Sequence, residues 1–193
     1  MATRTAAAAW TACTKLDHNP TSNPRAIVAR GLFLGDAIYM KTLRESLTLL
    51  GLFGPVVFLC TVWSSLPATV PSHFGFNGVP NHFAPKPFLW LLPCIAALLY
   101  AMLLFLSRHP RWFNLPVPVG DPRRPRYEAL TREMLAWLRL ELVYVFAYIE
   151  WATIRTGLRQ AVGLSPWLTP VPLIAILATV GFFRLEAGKQ PQT

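Results

Sequence analysis

Long apolar runs alternate with shorter polar connections along this chain. Leu47–Trp63, Phe88–Leu106 and Trp167–Phe183 contain no charged residue, and Met134–Ile154 is apolar apart from Arg139, Glu141 and Glu150. A helix crossing a hydrocarbon core of ~30 Å needs about 20 residues. The pattern therefore predicts an all-α, polytopic membrane protein with four transmembrane helices at about 47–66, 87–106, 134–154 and 167–183. These spans form one membrane domain over 40–186, followed by a tail at 187–193. Residues 1–39 have no apolar run long enough for a signal-peptide core and contain Asn-Pro twice. They read as a disordered extension, or as residues upstream of a start at Met40, where MKTLRESLTLLGLF leads directly into the first span.

Composition agrees with insertion. The 193 residues are 53% hydrophobic and 14% charged, whereas soluble domains carry roughly a quarter charged residues. The net charge of +9 does not point to nucleic acid, because its distribution follows the spans. Fourteen Lys and Arg fall before the first span, between the second and third, or after the fourth. Lys86, Arg155 and Arg159 are the three on the other side, and Arg139 sits at an edge of the third span. The positive-inside rule then places both termini in the cytoplasm and the first loop outside, in a multi-pass inner-membrane protein. Tryptophans 63, 90, 151 and 167 fall at the outer interface, and 112 and 137 near the inner one, as in an aromatic belt. The arginines at 123, 124 and 126 read as an orientation signal that meets anionic lipid headgroups.

The first loop is unlike a bland linker. Leu66–Lys86 reads LPATVPSHFGFNGVPNHFAPK, and Pro67, Pro71, Pro80, Pro85, Gly75 and Gly78 exclude a continuous helix. His73, Phe74, Asn77, Gly78, Asn81 and Lys86 are its candidate binding residues, with Pro67, Pro71 and Pro80 shaping the loop. Glu150 lies about 6 Å along the helix axis from the outer end of the third span. An acid at that depth needs a partner or water, and Lys86, His73, His82, Arg155 and Arg159 are in range. Three readings stay open: an ion pair pinning loop to bundle, a ligand pocket floored by Glu150, Tyr144 and Tyr148, or a proton or ion path. Glu141, nine residues before Glu150, points to the opposite face. It forms a second polar site toward the inner end, within reach of Arg139 or the basic loop that holds Asn114.

No catalytic set is evident. Gly-x-Ser-x-Gly, HExxH and a phosphate-cradling glycine loop are absent from the sequence. His73 and His82 do not have zinc-ligand spacing. Cys13, Cys60 and Cys94 make no metal motif, although Cys60 and Cys94 fall at similar depths in adjacent spans. The sequence thus implies no enzyme activity, cofactor or metal.

The spacing Pro67-x-x-x-Pro71-x-His73-Phe74-x-x-x-Gly78-x-Pro80, followed by Lys86 and by Phe113-Asn114-Leu115-Pro116, resembles a prokaryotic membrane domain of unknown function. That domain forms the N-terminal part of Sdp-type immunity proteins. The resemblance covers about residues 45–155. Asn81 stands where the family commonly has an acid, and Pro85 where it has a small residue. The resemblance implies a membrane protein that binds or senses an extracytoplasmic ligand such as a toxic peptide. The alternative is a small transporter, or a subunit that partners another membrane protein.

Overall fold

The computed structural model describes residues 24–168 and 170–189. Their order is helix α1 (Pro24–Val62), strands β1 (Thr69–Phe74) and β2 (Pro80–Pro85), then helices α2 (Leu91–Arg108), α3 (Arg124–Gly157) and α4 (Pro170–Gly188). Short 3₁₀ turns at Trp63–Ser65, Lys86–Trp90, Pro110–Trp112 and Pro166–Leu168 make the connections. The chain divides into two compact units, Met1–Leu43 and Arg44–Thr193. In the first, the Thr42 hydroxyl donates back to the Ile38 carbonyl at 2.9 Å. The second holds the hairpin, the three later helices and the bundle core. The extension expected over 1–39 meets the described residues only from Pro24, and residues 24–39 are helical. Residues 1–23 lie outside the described residues.

Three helical stretches are long and apolar enough to cross a membrane: Ile38–Ser65, Lys86–Arg108 and Pro166–Gly188. The fourth expected span, 134–154, lies inside α3 but does not reach that apolarity. Arg139, Glu141 and Glu150 are the reason, and the structure turns two of them inward. Leu135, Arg139, Val143, Glu150 and Ile154 are all buried. Their separations of four, four, seven and four residues place them along one helix face.

Each apolar member of that stripe anchors one layer of the core. Leu135 packs with Leu103 and Phe113. Val143 packs with Leu52 and Ala96. Ile154 packs with Leu59, Leu66, Val70 and Leu89. Every layer therefore joins α3 to α1, α2 or the segment between them. Arg139 and Glu150 occupy the stripe between these layers, at 5% and 1% exposure. Close approach of α1 to α3 needs Gly51, where an added Cβ would lie 2.9 Å from the Tyr144 ring.

The expectation of an all-helical chain is corrected between 69 and 85. Antiparallel β1 and β2 pair Thr69 with Pro85, Val70 with Ala84, Pro71 with Phe83, His73 with His82 and Phe74 with Pro80, with register shifts on either side of His73. The turn residues explain why. The Asn77 carboxamide oxygen accepts from the Val79 amide at 3.1 Å, and Gly78 takes a φ of 76°. Asn-Gly supplies the left-handed backbone that tight hairpins favour. The prolines remain compatible because a two-stranded ribbon has two open edges, where a missing N–H breaks no ladder bond.

Candidate functional site

The hairpin is fastened to the bundle at its base, middle and tip. At the base, the Lys86 amide donates to the Ala68 carbonyl at 2.9 Å. Its ammonium donates to the Trp63 carbonyl at 3.3 Å and stands 4.9 Å from the centre of the Trp63 ring. Trp90 lies 6.1 Å from the same ring. In the middle, Val70 is fully buried in the layer around Ile154, and an added Cβ on Gly157 would sit 3.4 Å from Val70 Cγ1. At the tip, the Leu164 amide donates to the Gly78 carbonyl at 2.9 Å. A Cβ on Gly78 would strike the Leu164 carbonyl, and one on Gly163 would strike the Gly78 carbonyl.

The other surface of the hairpin faces outward. Phe76 is fully exposed and Phe83 is 60% exposed, with Val79 also exposed. His73 Nδ1 donates to Asn81 Oδ1 at 2.7 Å, and His82 is the exposed cross-strand neighbour of His73. Among the described residues, no three His, Cys, Asp or Glu side chains cluster to hold a metal ion. Of the predicted site residues, His73, Asn77 and Asn81 are exposed on the hairpin, Phe74 is half-buried, and Gly78 is buried against the α3–α4 connection. Pro67 is exposed, Pro71 is buried and Pro80 is half-buried.

Glu150 does not join this set. None of its expected partners reaches it: Lys86 is held by Trp63, and Arg155 stacks 5.0 Å from the Trp151 ring centre. Among the described residues Glu150 has no ion-pair partner, and its Oε1 is buried without a hydrogen bond. The expected pocket floor is likewise divided. Tyr144 and Tyr148 line a separate groove of about 360 Å³ between α3 and α4, together with Glu141 and Trp167. The physical reason is helix rotation: α3 turns Glu150 toward the α1 and α2 layers and Glu141 toward α4.

Glu141 meets neither Arg139 nor the basic loop. The Thr179 hydroxyl of α4 donates to its Oε1, and its Oε2 is buried without a partner. Asn114, paired with it in the sequence reading, lines a different cavity near the far end of the bundle. Cys60 and Cys94 are both free thiols, exposed on the surface.

A charged network near the end away from the hairpin had no distinct sequence signal. Arg44 donates to Glu133 at 2.6 Å, and Arg139 to Glu45 at 2.8 Å. Arg44 lies 5.5 Å from the Trp137 ring centre and Arg139 5.4 Å from that of Tyr100. These pairs let α3 carry an inward arginine, because a buried charge is tolerated only with a counter-charge and hydrogen bonds. Farther out, Arg123 hydrogen-bonds Asp121 and holds its carboxyl below the usual carboxylate range. Arg124 pairs with Glu128 at 3.0 Å. Arg126 donates to the Lys189 and Glu186 carbonyls at 2.7 and 2.9 Å, closing the C-terminal end of α4. Arg123, Arg124 and Arg126 thus each have a partner within the protein.

Residues 50–97 match the family model described as a domain of unknown function, DUF1648. The match runs from the second half of α1 through the hairpin into α2. The chain is also similar to an uncharacterized protein of Archaeoglobus fulgidus. The two are 29% identical over 130 residues, covering 60% of this chain and 69% of the relative. No solved structure matches.

Proposed function

We propose that this chain is a multi-pass membrane protein whose hairpin is a rigid recognition face for an extracytoplasmic peptide. In this reading α3 crosses the bilayer beside the three apolar helices, giving four spans in the inner membrane with both termini cytoplasmic. Its inward stripe supports that reading, since polar groups in a spanning helix are tolerated when they face the bundle interior. The distribution of Lys and Arg supports the orientation. The role is binding without catalysis, and a secreted toxic peptide, as for the immunity proteins the sequence resembles, is the ligand class.

One observation carries the reading. The hairpin is anchored at three places and yet holds Phe76 and Phe83 away from the core, at 109% and 60% exposure. Aromatic side chains on a preorganised surface lose little entropy on binding and bury a large area. A photo-crosslinking amino acid at position 76 or 83, in cells expressing the full chain, should capture an added antimicrobial peptide against which expression protects. The same probe at Leu98, an exposed α2 position, should not. Protection that survives Phe76→Ser and Phe83→Ser together, with no crosslink from either position, would contradict the proposal.

The transporter reading draws on Glu150, whose Oε1 is buried without a hydrogen bond. It is the weaker of the two, because Glu141 and Glu150 border different helix faces and line no shared path. Proton flux into vesicles that Glu150→Gln abolishes would favour it.

A further inference from the structure

A cavity of about 720 Å³ opens at the end of the bundle away from the hairpin, bounded by the ends of α2 and α4, the start of α3 and the loop at 112–116. That size suits an organic ligand, for which pockets of about 300–1,000 Å³ are usual. Phe113, Leu130, Met134, Val180 and Phe183 give it apolar walls. Asn114, Thr131 and Arg184 add hydrogen-bonding groups, and no carboxylate lines it. Arg184 is exposed, and among the described residues it has no hydrogen-bond, ion-pair or ring partner. The neighbouring acid, Glu186, is taken by Lys189. The α4 end that presents Arg184 is held in place by Arg126. The site therefore combines an apolar chamber with one uncompensated cation in its lining.

We propose that this cavity holds an anionic phospholipid, with an acyl chain between α2, α3 and α4 and its phosphate on Arg184. Charge complementarity decides the occupant, since a zwitterionic lipid brings its own cation and an uncharged one leaves Arg184 unanswered. The proposal rests on the membrane embedding proposed above, but not on any peptide ligand.

Trp112, on the cavity wall, supplies the reporter. The full chain is reconstituted in phosphatidylcholine vesicles containing small fractions of acyl-brominated phosphatidylglycerol or acyl-brominated phosphatidylcholine, whose bromines quench tryptophan on contact. Subtracting the same titration of Trp112→Phe isolates the Trp112 signal. The expected result is half-maximal quenching at an about fivefold lower fraction of the anionic lipid, as one cation near a lipid surface provides. Arg184→Gln should erase that preference, and Ala187→Phe should weaken quenching by both lipids by filling the cavity. Arg123→Gln, at an exposed arginine outside the wall, should leave the preference intact. Equal quenching by the two lipids in the unmodified chain would overturn the proposal. So would a preference that survives Arg184→Gln, and its loss in Arg123→Gln would then place the headgroup on the surface loop. Absence of tryptophan quenching by either lipid would overturn the membrane embedding and this site together.

Discussion

Gly78 and Leu164 meet backbone to backbone, with the Leu164 amide 2.9 Å from the Gly78 carbonyl. No side chain fits between them, and Gly163, next to Leu164 in the connection, packs against the same Gly78 carbonyl. This junction ties the tip of the hairpin to the α3–α4 connection. Gly78→Ala must both adopt a φ of 76° and displace the Leu164 carbonyl. Left-handed backbone alone costs a non-glycine residue about 1 kcal/mol. Gly78→Ala should therefore destabilise by roughly 2–3 kcal/mol, with Gly163→Ala next. Hydrogen exchange at the Leu164 amide should accelerate in both, and unchanged protection would count against a fixed tip.

The base of the hairpin gives a prediction that separates Lys86 from Glu150. Lys86→Met should lose about 1 kcal/mol from the contact with Trp63, while Lys86→Arg should retain most of it. Because Lys86 binds Trp63, the charge-swapped pair Lys86→Glu with Glu150→Lys should show no mutual rescue. Additivity within about 0.5 kcal/mol in a thermal double-mutant cycle is expected, and strong recovery in the double variant would mean that the two side chains do pair.

How much of this was legible in the sequence can be seen from these same residues. The apolar runs marked the three helices long and apolar enough to cross a membrane, since length and lack of charge are local properties. The hairpin was also written locally, in Asn77-Gly78 between β-branched and aromatic residues, but the surrounding prolines suggested only an irregular loop. Contacts set by helix rotation were not legible. Nothing near Arg139 indicates that it reaches Glu45, which is 94 positions away. Nothing near Glu150 indicates that α3 turns it away from Lys86. The Gly163 contact was missed because a lone glycine in a connection carries no signal until its neighbour in space is known.

The Arg139–Glu45 pair should respond asymmetrically. Arg139 has a side chain 5% exposed, whereas that of Glu45 is 38% exposed. Removing the acid strands a buried cation, and removing the cation leaves an acid that water can reach. Glu45→Ala should cost on the order of 2–4 kcal/mol, and Arg139→Met clearly less. Thermal unfolding of the two variants, in the same detergent, checks the order.

Arg159 offers a stabilising change. It ends the turn after α3 with a φ of 59°, and its amide donates to the Thr156 carbonyl at 3.0 Å. Glycine takes that conformation without the Cβ clash. Arg159→Gly should stabilise by about 0.5–1 kcal/mol, seen as a higher unfolding midpoint, whereas Arg159→Ala should not.

The proposed orientation puts the hairpin outside the membrane on a four-span frame. A cysteine-free background, made by replacing Cys13, Cys60 and Cys94, allows single probes at Phe76→Cys and Val119→Cys, both exposed in the structure. A membrane-impermeant thiol reagent should label position 76 in intact cells and position 119 only after permeabilisation. Labelling of position 119 in intact cells, or of 76 only after permeabilisation, would contradict it.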